Sequence, residues 1–244
     1  LAPASAAWRD VLLAPLPQAA IELHARSDSD AVLHVIQGIK GLAQQRLLDS
    51  VRAVRLCGWA DWFDRVLELI PVITSLALGA AIGLPRSCAA SRSGSRKGQV
   101  AALMRILRAR RAVLQKLELD YQMLHGEFEW PILPMVSHVH VLNCPLNDAD
   151  VEQLLGGAPK LQTLLLESCT LDAEAASAGV SAASSSFKGR ALMLRQSSQA
   201  GELRLACRVL SAVDWSVLQK LEMARALEDK LVRKSFLFDF SKLL

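Results

Sequence analysis

The stretch Val113–Glu118 reads VLQKLE, and the same six residues return at Val217–Glu222. The copies start 104 positions apart, which is four periods of 26. A period in the twenties is the length of one strand plus one return segment, the unit of a coiled α/β solenoid. With the residue after each copy, the apolar positions fall at Leu114-x-x-Leu117-x-Leu119 and Leu218-x-x-Leu221-x-Met223, a Leu-x-x-Leu-x-Leu frame. The last three positions alternate as a half-buried strand does, one side chain in and the next out.

The same frame recurs along the chain. Clear copies are Leu114-x-x-Leu117-x-Leu119, Val136-x-x-Val139-x-Val141 and Leu161-x-x-Leu164-x-Leu166. The last two continue to Cys144 and Leu146 and to Cys169 and Leu171, both pairs 25 residues apart. Weaker copies start at Val51, Ile73 and Leu218, and degenerate ones contain Ile21-x-Leu23 and Leu192-x-Leu194. Starts near 18, 51, 73, 114, 136, 161, 189 and 218 give gaps of 22 to 29, with two longer gaps of 33 and 41 that require insertions. One insertion is 86–98 (RSCAASRSGSRKG), a Ser/Gly/Arg-rich loop. The other is the Ala/Ser-rich 172–186.

The connecting segments carry helical stripes. Asn147 can cap a helix whose first turn holds Asp148 and Asp150, and Val151, Leu154 and Leu155 form its apolar side before Gly156 and Gly157 stop it. Val32, Val35, Ile36 and Ile39 repeat that spacing, as do Val100, Leu103, Met104 and Leu107, and Leu203, Ala206, Val209, Leu210 and Val213. The run Trp130–Pro134 has two prolines, which a short helix interior does not accept, so an irregular return is expected there.

These residues resemble the cysteine-containing and ribonuclease-inhibitor-like leucine-rich repeat families. The resemblance is specific over 114–171 and looser over the rest of 18–228. It implies an α/β leucine-rich repeat solenoid, a horseshoe of about eight irregular repeats, with strands on a concave face and helices on the convex one. The segment 229–244 would then cap the last coil. Over 1–17, Ala7–Leu13 (AWRDVLL) followed by Pro15-Leu16-Pro17 resembles the end of an F-box. The other reading of the same residues is a short amphipathic cap with Trp8, Val11 and Leu12 packed down. F-box proteins with such repeats dock on a ubiquitin-ligase adaptor and hold substrate on the repeats. The resemblance therefore implies a non-enzymatic protein-binding scaffold, a substrate receptor of that type. A structural subunit of a large multi-protein or ribonucleoprotein assembly, organellar in one version, is the alternative.

Composition sets further bounds. The 244 residues are 52% hydrophobic, with a mean hydropathy of +0.25. The most apolar window, 66–85, contains Glu68 and Pro71 and falls short of the roughly 20 apolar residues a spanning helix needs, so no membrane insertion is expected. Leu1–Pro17 lacks a basic start and a long apolar run, so no secretory signal is expected in it. Cys57, Cys88, Cys144, Cys169 and Cys207 have no metal-type spacing and are read as free thiols of an intracellular, reducing compartment, cytoplasmic or nuclear, with an organelle as the alternative. The net charge is +4, yet 86–116 holds nine basic residues and no acid.

Candidate contacts follow from the frame. One outward row reads Glu22, Arg55, Ala77, Glu118, His140, Leu165, Met193 and Glu222. Its neighbour reads Ala20, Ala53, Ser75, Lys116, His138, Thr163, Ala191 and Lys220. Arg55, Lys116, Glu118, His138, His140, Thr163, Leu165 and Glu222 are the candidate partner-binding residues. Arg105, Arg108, Arg110 and Arg111 form a candidate basic patch for an acidic protein surface or RNA. His138, His140 and Glu118 could in principle hold a metal, but no further ligand is implied, and they are read as surface residues. No phosphate loop, nucleophile–base set or carboxylate pair in a recognisable context is present, so no catalytic residue and no cofactor is expected.

Overall fold

The computed structural model describes residues 12–14, 19–24, 29–58, 60, 62–79, 96–120, 130–171, 186–196, 200–225 and 234–239. The chain divides into two compact units, Leu1–Leu114 and Gln115–Leu244.

In the first unit, β1 (Leu12–Ala14), β2 (Ala19–His24), β3 (Val51–Cys57) and β4 (Ser75–Gly79) lie side by side in chain order. β1 runs antiparallel to β2, whereas β2, β3 and β4 are parallel. The inward residues Ile21, Leu23, Val54, Leu56, Leu76 and Leu78 are buried. Parallel strands need a crossover, and the returns supply it as α1 (Ser29–Gln44), a 3-10 turn at Leu47–Ser50 and α2 (Phe63–Leu69). α1 turns Val35, Ile36 and Ile39 inward, and α2 buries Phe63, Val66 and Leu67. α3 (Arg96–Arg110) follows and buries Leu103, Met104, Ile106 and Leu107. Arg96–Gly98, read from sequence as the end of a loop, forms the first turn of that helix. The rest of the insertion lies outside the described residues.

In the second unit, β5 (Lys116–Asp120), β6 (His138–Leu142), β8 (Thr163–Glu167), β10 (Ala191–Gln196) and β11 (Lys220–Arg225) form a parallel run, closed at its edge by β12 (Lys234–Asp239), antiparallel to β11. The pairing register is the one the repeat spacing gives: Lys116, His138, Thr163, Ala191 and Lys220 are successive partners. Two residues on, Glu118, His140, Leu165, Met193 and Glu222 are partners in the same way. Between the strands, α4 (Asp148–Gly157) begins with the expected cap. The Asn147 side chain accepts from the Asp150 N–H at 2.7 Å, and the Asp150 carboxylate accepts from the Asn147 N–H at 2.9 Å. Trp130–Pro134 forms no helix, and the Leu133 N–H instead donates to the Gly157 carbonyl at 2.8 Å. A short pair, β7 (Pro145–Leu146) and β9 (Thr170–Leu171), continues the two best-matched copies. α5 (Ala200–Ser211) packs on β9 and β10 through a stripe of Leu205, Ala206 and Val209.

The expectation of a leucine-rich repeat horseshoe is corrected. The chain is α/β with mostly parallel strands, but it is not a curved solenoid of about eight repeats. The physical reason lies in the returns. A horseshoe bends because a helix about 10 Å wide backs strands only about 4.8 Å apart, which forces the outer side to be longer than the inner. Here α2 has only 7 residues, and the described part of the β5–β6 return, 130–137, contains no helix. The other described helices have 10 to 16 residues, so the backing varies from return to return instead of repeating one wedge. Both terminal segments also depart from the repeat pattern, because Leu12–Ala14 and Lys234–Asp239 are antiparallel strands. Leu12, read as part of a helical cap, is therefore in a strand. Ala7–Val11 and the candidate insertion 172–185 lie outside the described residues.

Candidate functional site: the outward face of the parallel strands

In the second unit the inward side of each strand is closed by Leu, Val and Met, while the outward side carries half-exposed polar residues. Six ionisable side chains cross that outward face in one line. His140 Nδ1 lies 3.7 Å from Glu118 Oε2, and His140 Nε2 lies 3.5 Å from Glu167 Oε2. Glu167 Oε2 lies 3.7 Å from an Arg195 nitrogen. Arg195 reaches Glu222 Oε1 at 3.3 Å, and the other Glu222 oxygen lies 3.6 Å from Lys220 Nζ. Acid and base alternate from β5 to β11, one or two side chains per strand. The His140 contacts become ion pairs only when its ring is protonated.

The energetics are those of a wet surface. Exposure ranges from 17% for Glu222 to 45% for Lys220, so water screens each pair and each contributes on the order of 0–1 kcal/mol. What the line does is fix side-chain geometry and cancel charge locally, so no single sign dominates the face. The half-buried Leu142, Leu165 and Met193 lie beside it, with Leu165 directly paired to His140 and Met193 to Leu165. An apolar centre with a polar border is the anatomy of a protein-contact surface.

The other candidates in this unit occupy the neighbouring row. Lys116 and His138 are exposed, and Thr163 is half buried. His138 Nδ1 lies 2.7 Å from Ser137 Oγ. Partial desolvation of the ring by its neighbours, then the Lys116 charge, holds the His138 ring below its usual value. His138 and His140 do not converge on a shared point: one contacts Ser137, the other Glu118 and Glu167. Glu167 and Arg195, which complete the line, were absent from the sequence-derived set. They stand one outward position beyond the matched row, and no apolar marker distinguishes them.

In the first unit, Arg55 is exposed on β3, paired with Glu22 on β2 and Ala77 on β4. The basic helix is partly committed to structure. Arg105 pairs with Asp64 at 2.9 Å. Arg110 donates to the Leu67 and Pro71 carbonyls at 2.6 and 3.0 Å, satisfying the open end of α2. Arg108 and Arg111 are exposed.

The cysteines are packed rather than poised. Cys144 and Cys169 are buried, and burial pushes the Cys144 thiol well up. The residue before each, Asn143 and Ser168, makes the left-handed turn at φ 51°. Its N–H then donates to the next strand, to Glu167 and Arg195 respectively. Cys57 differs, because its buried thiol donates to Glu22 Oε1 at 3.0 Å, and His24 Nε2 lies 3.2 Å from the same oxygen. Burial, then the Glu22 carboxylate, pushes the Cys57 thiol up to about 12. The sequence signal for this cluster existed: Glu22 and His24 alternate on β2, and the strand register makes Cys57 the partner of His24.

No protein-family model, no curated protein and no solved structure matches this chain. Among the described residues, no helix is long and apolar enough to cross a membrane.

Proposed function

We propose that this chain is a non-enzymatic protein-binding scaffold whose contact surface is the outward face of β5, β6, β8, β10 and β11. The observation that carries the proposal is the alternating line Glu118–His140–Glu167–Arg195–Glu222–Lys220 running beside Leu165 and Met193. Side chains already held by neighbours lose little freedom on binding, which reduces the ordering cost of association. The mixed sign suits a protein surface of matching pattern better than a polyanion. The narrower form of the proposal, a substrate receptor of an F-box-type ubiquitin ligase, rests on the likeness of Ala7–Pro17 to the end of an F-box. An intracellular, reducing compartment accords with thiols used as packed side chains at Cys144 and Cys169.

A second reading, a structural subunit of a large assembly, is favoured by exposed Arg108 on α3 and exposed Arg111 in the turn that follows it. It places the contact on the first unit, against RNA or an acidic protein surface. The two readings separate by affinity purification of the full chain beside two variants. One variant carries Leu165→Arg with Arg195→Glu, and the other Arg108→Glu with Arg111→Glu. The scaffold reading expects a stoichiometric partner lost only with the first variant, and co-recovery of a ubiquitin-ligase adaptor supports its receptor form. Loss only with the second variant transfers the function to the basic helix.

A further inference from the structure

The cluster of Glu22, His24 and Cys57 in the first unit plays no part in the proposed contact surface, and its chemistry is distinctive. It gathers a carboxylate, an imidazole and a thiol whose ligand atoms all lie within 4.8 Å of one another. We propose that these three residues bind a thiophilic divalent cation, with zinc the best match.

The geometry carries the proposal. Tetrahedral zinc has Zn–S near 2.3 Å and Zn–N and Zn–O near 2.0–2.1 Å, which sets the edges between ligand atoms at about 3.3–3.6 Å. The edges that meet at Glu22 Oε1 are 3.0 Å to Cys57 Sγ and 3.2 Å to His24 Nε2. The remaining pair, the Cys57 thiol and the His24 ring, also lies within 4.8 Å, so the three ligand atoms form a small triangle that side-chain rotation can fit to one face of the tetrahedron. The backbone supports that face. Glu22 and His24 are consecutive outward positions of β2, and β3 pairs His24 with Cys57 in parallel register. Two neighbouring strands therefore fix the spacing, with no mobile loop supplying a ligand.

Access and selectivity follow. Cys57 is buried, but the side chains of His24 and Glu22 remain 27% and 33% exposed, so an ion can approach from their side. A set of one sulfur, one nitrogen and one oxygen selects zinc or cobalt over magnesium and calcium, which demand oxygen ligands. Three protein ligands leave a fourth vertex for water or for a group of a binding partner. On binding, the Cys57 thiol proton is released to solvent and the sulfur donates as thiolate.

The test uses the full chain with Cys88→Ser and Cys207→Ser, which removes the exposed thiol and the one outside the described residues. Cobalt(II) is titrated in and the sulfur-to-cobalt charge-transfer band is read. The expected result is one equivalent bound with tetrahedral d–d bands, bleached by added zinc. Cys57→Ala should abolish the charge-transfer band, and His24→Gln should weaken binding at least about tenfold. Circular dichroism of each variant confirms its fold, and zinc should raise the Tm of the parent but not of Glu22→Gln. A band that persists in Cys57→Ala, or no band with cobalt in excess over micromolar protein, overturns the proposal.

Discussion

A single side chain, His138, reports the electrostatics of the outward face. Partial burial, then the neighbouring Lys116 charge, disfavours its protonated form. Its pKa in the folded chain is below the reference 6.5, so its contribution to stability is complete above pH 6.5. That contribution is lost as pH falls through the folded value, because the unfolded chain then takes up the proton more readily. Lys116→Gln should raise the His138 pKa measured by NMR titration of the ring while leaving it below 6.5, since burial is the larger cause. An unchanged pKa would show that Lys116 does not act on it. Backbone conformation is equally specific at this scale. Ser168 sits at φ 51°, in the left-handed region that a β-branched residue resists. Ser168→Val should cost about 1–2 kcal/mol in urea denaturation, whereas Ser168→Gly should not. The outward rows were readable from sequence because period two within each copy separates inward from outward positions. The Cys57–Glu22–His24 cluster was overlooked although the same register carries it, because it joins Cys57 to residues 33 and 35 positions earlier, and His24 and Cys57 lie one outward position beyond the matched row.

At the scale of elements, the Asn147 cap was legible because capping is local, set by four consecutive residues. The pairs that tie elements together were not. Arg208 on α5 reaches Asp148 at 2.7 Å and Glu152 at 2.9 Å on α4, and no spacing rule links positions 56 and 60 residues apart. The same holds for Arg105 and Arg110, which looked like surface charge and in fact anchor α3 to α2. Close packing gives a sharper contrast between two glycines. A Cβ at Gly189 would overlap the ring of buried Phe187 and lie 2.8 Å from the Gln162 carbonyl oxygen. At Gly41, within α1, a Cβ meets nothing within 4 Å. Gly189→Ala should therefore lower stability by about 1–3 kcal/mol, and Gly41→Ala should raise it by up to about 1 kcal/mol. Thermal melts of the two variants check this, and equal shifts would contradict the packing at β10.

For the whole molecule, the repeat spacing located the strands and their register. It did not determine curvature, which depends on how wide each return is, and the described helices range from 7 to 16 residues rather than repeating one unit. Nor does a recurring core pattern specify a partner, because the core residues that repeat are the ones a partner never touches. The functional account rests on the face opposite them, on the line from Glu118 to Lys220 and the Leu165–Met193 centre beside it. The most direct measurement is site-specific photo-crosslinking in cells, with a photoreactive amino acid placed at Leu165, at Met193, or at exposed Gln153 on α4. The account predicts one discrete protein adduct from positions 165 and 193 and none from 153. Adducts from 153 alone, with 165 and 193 silent, would contradict it.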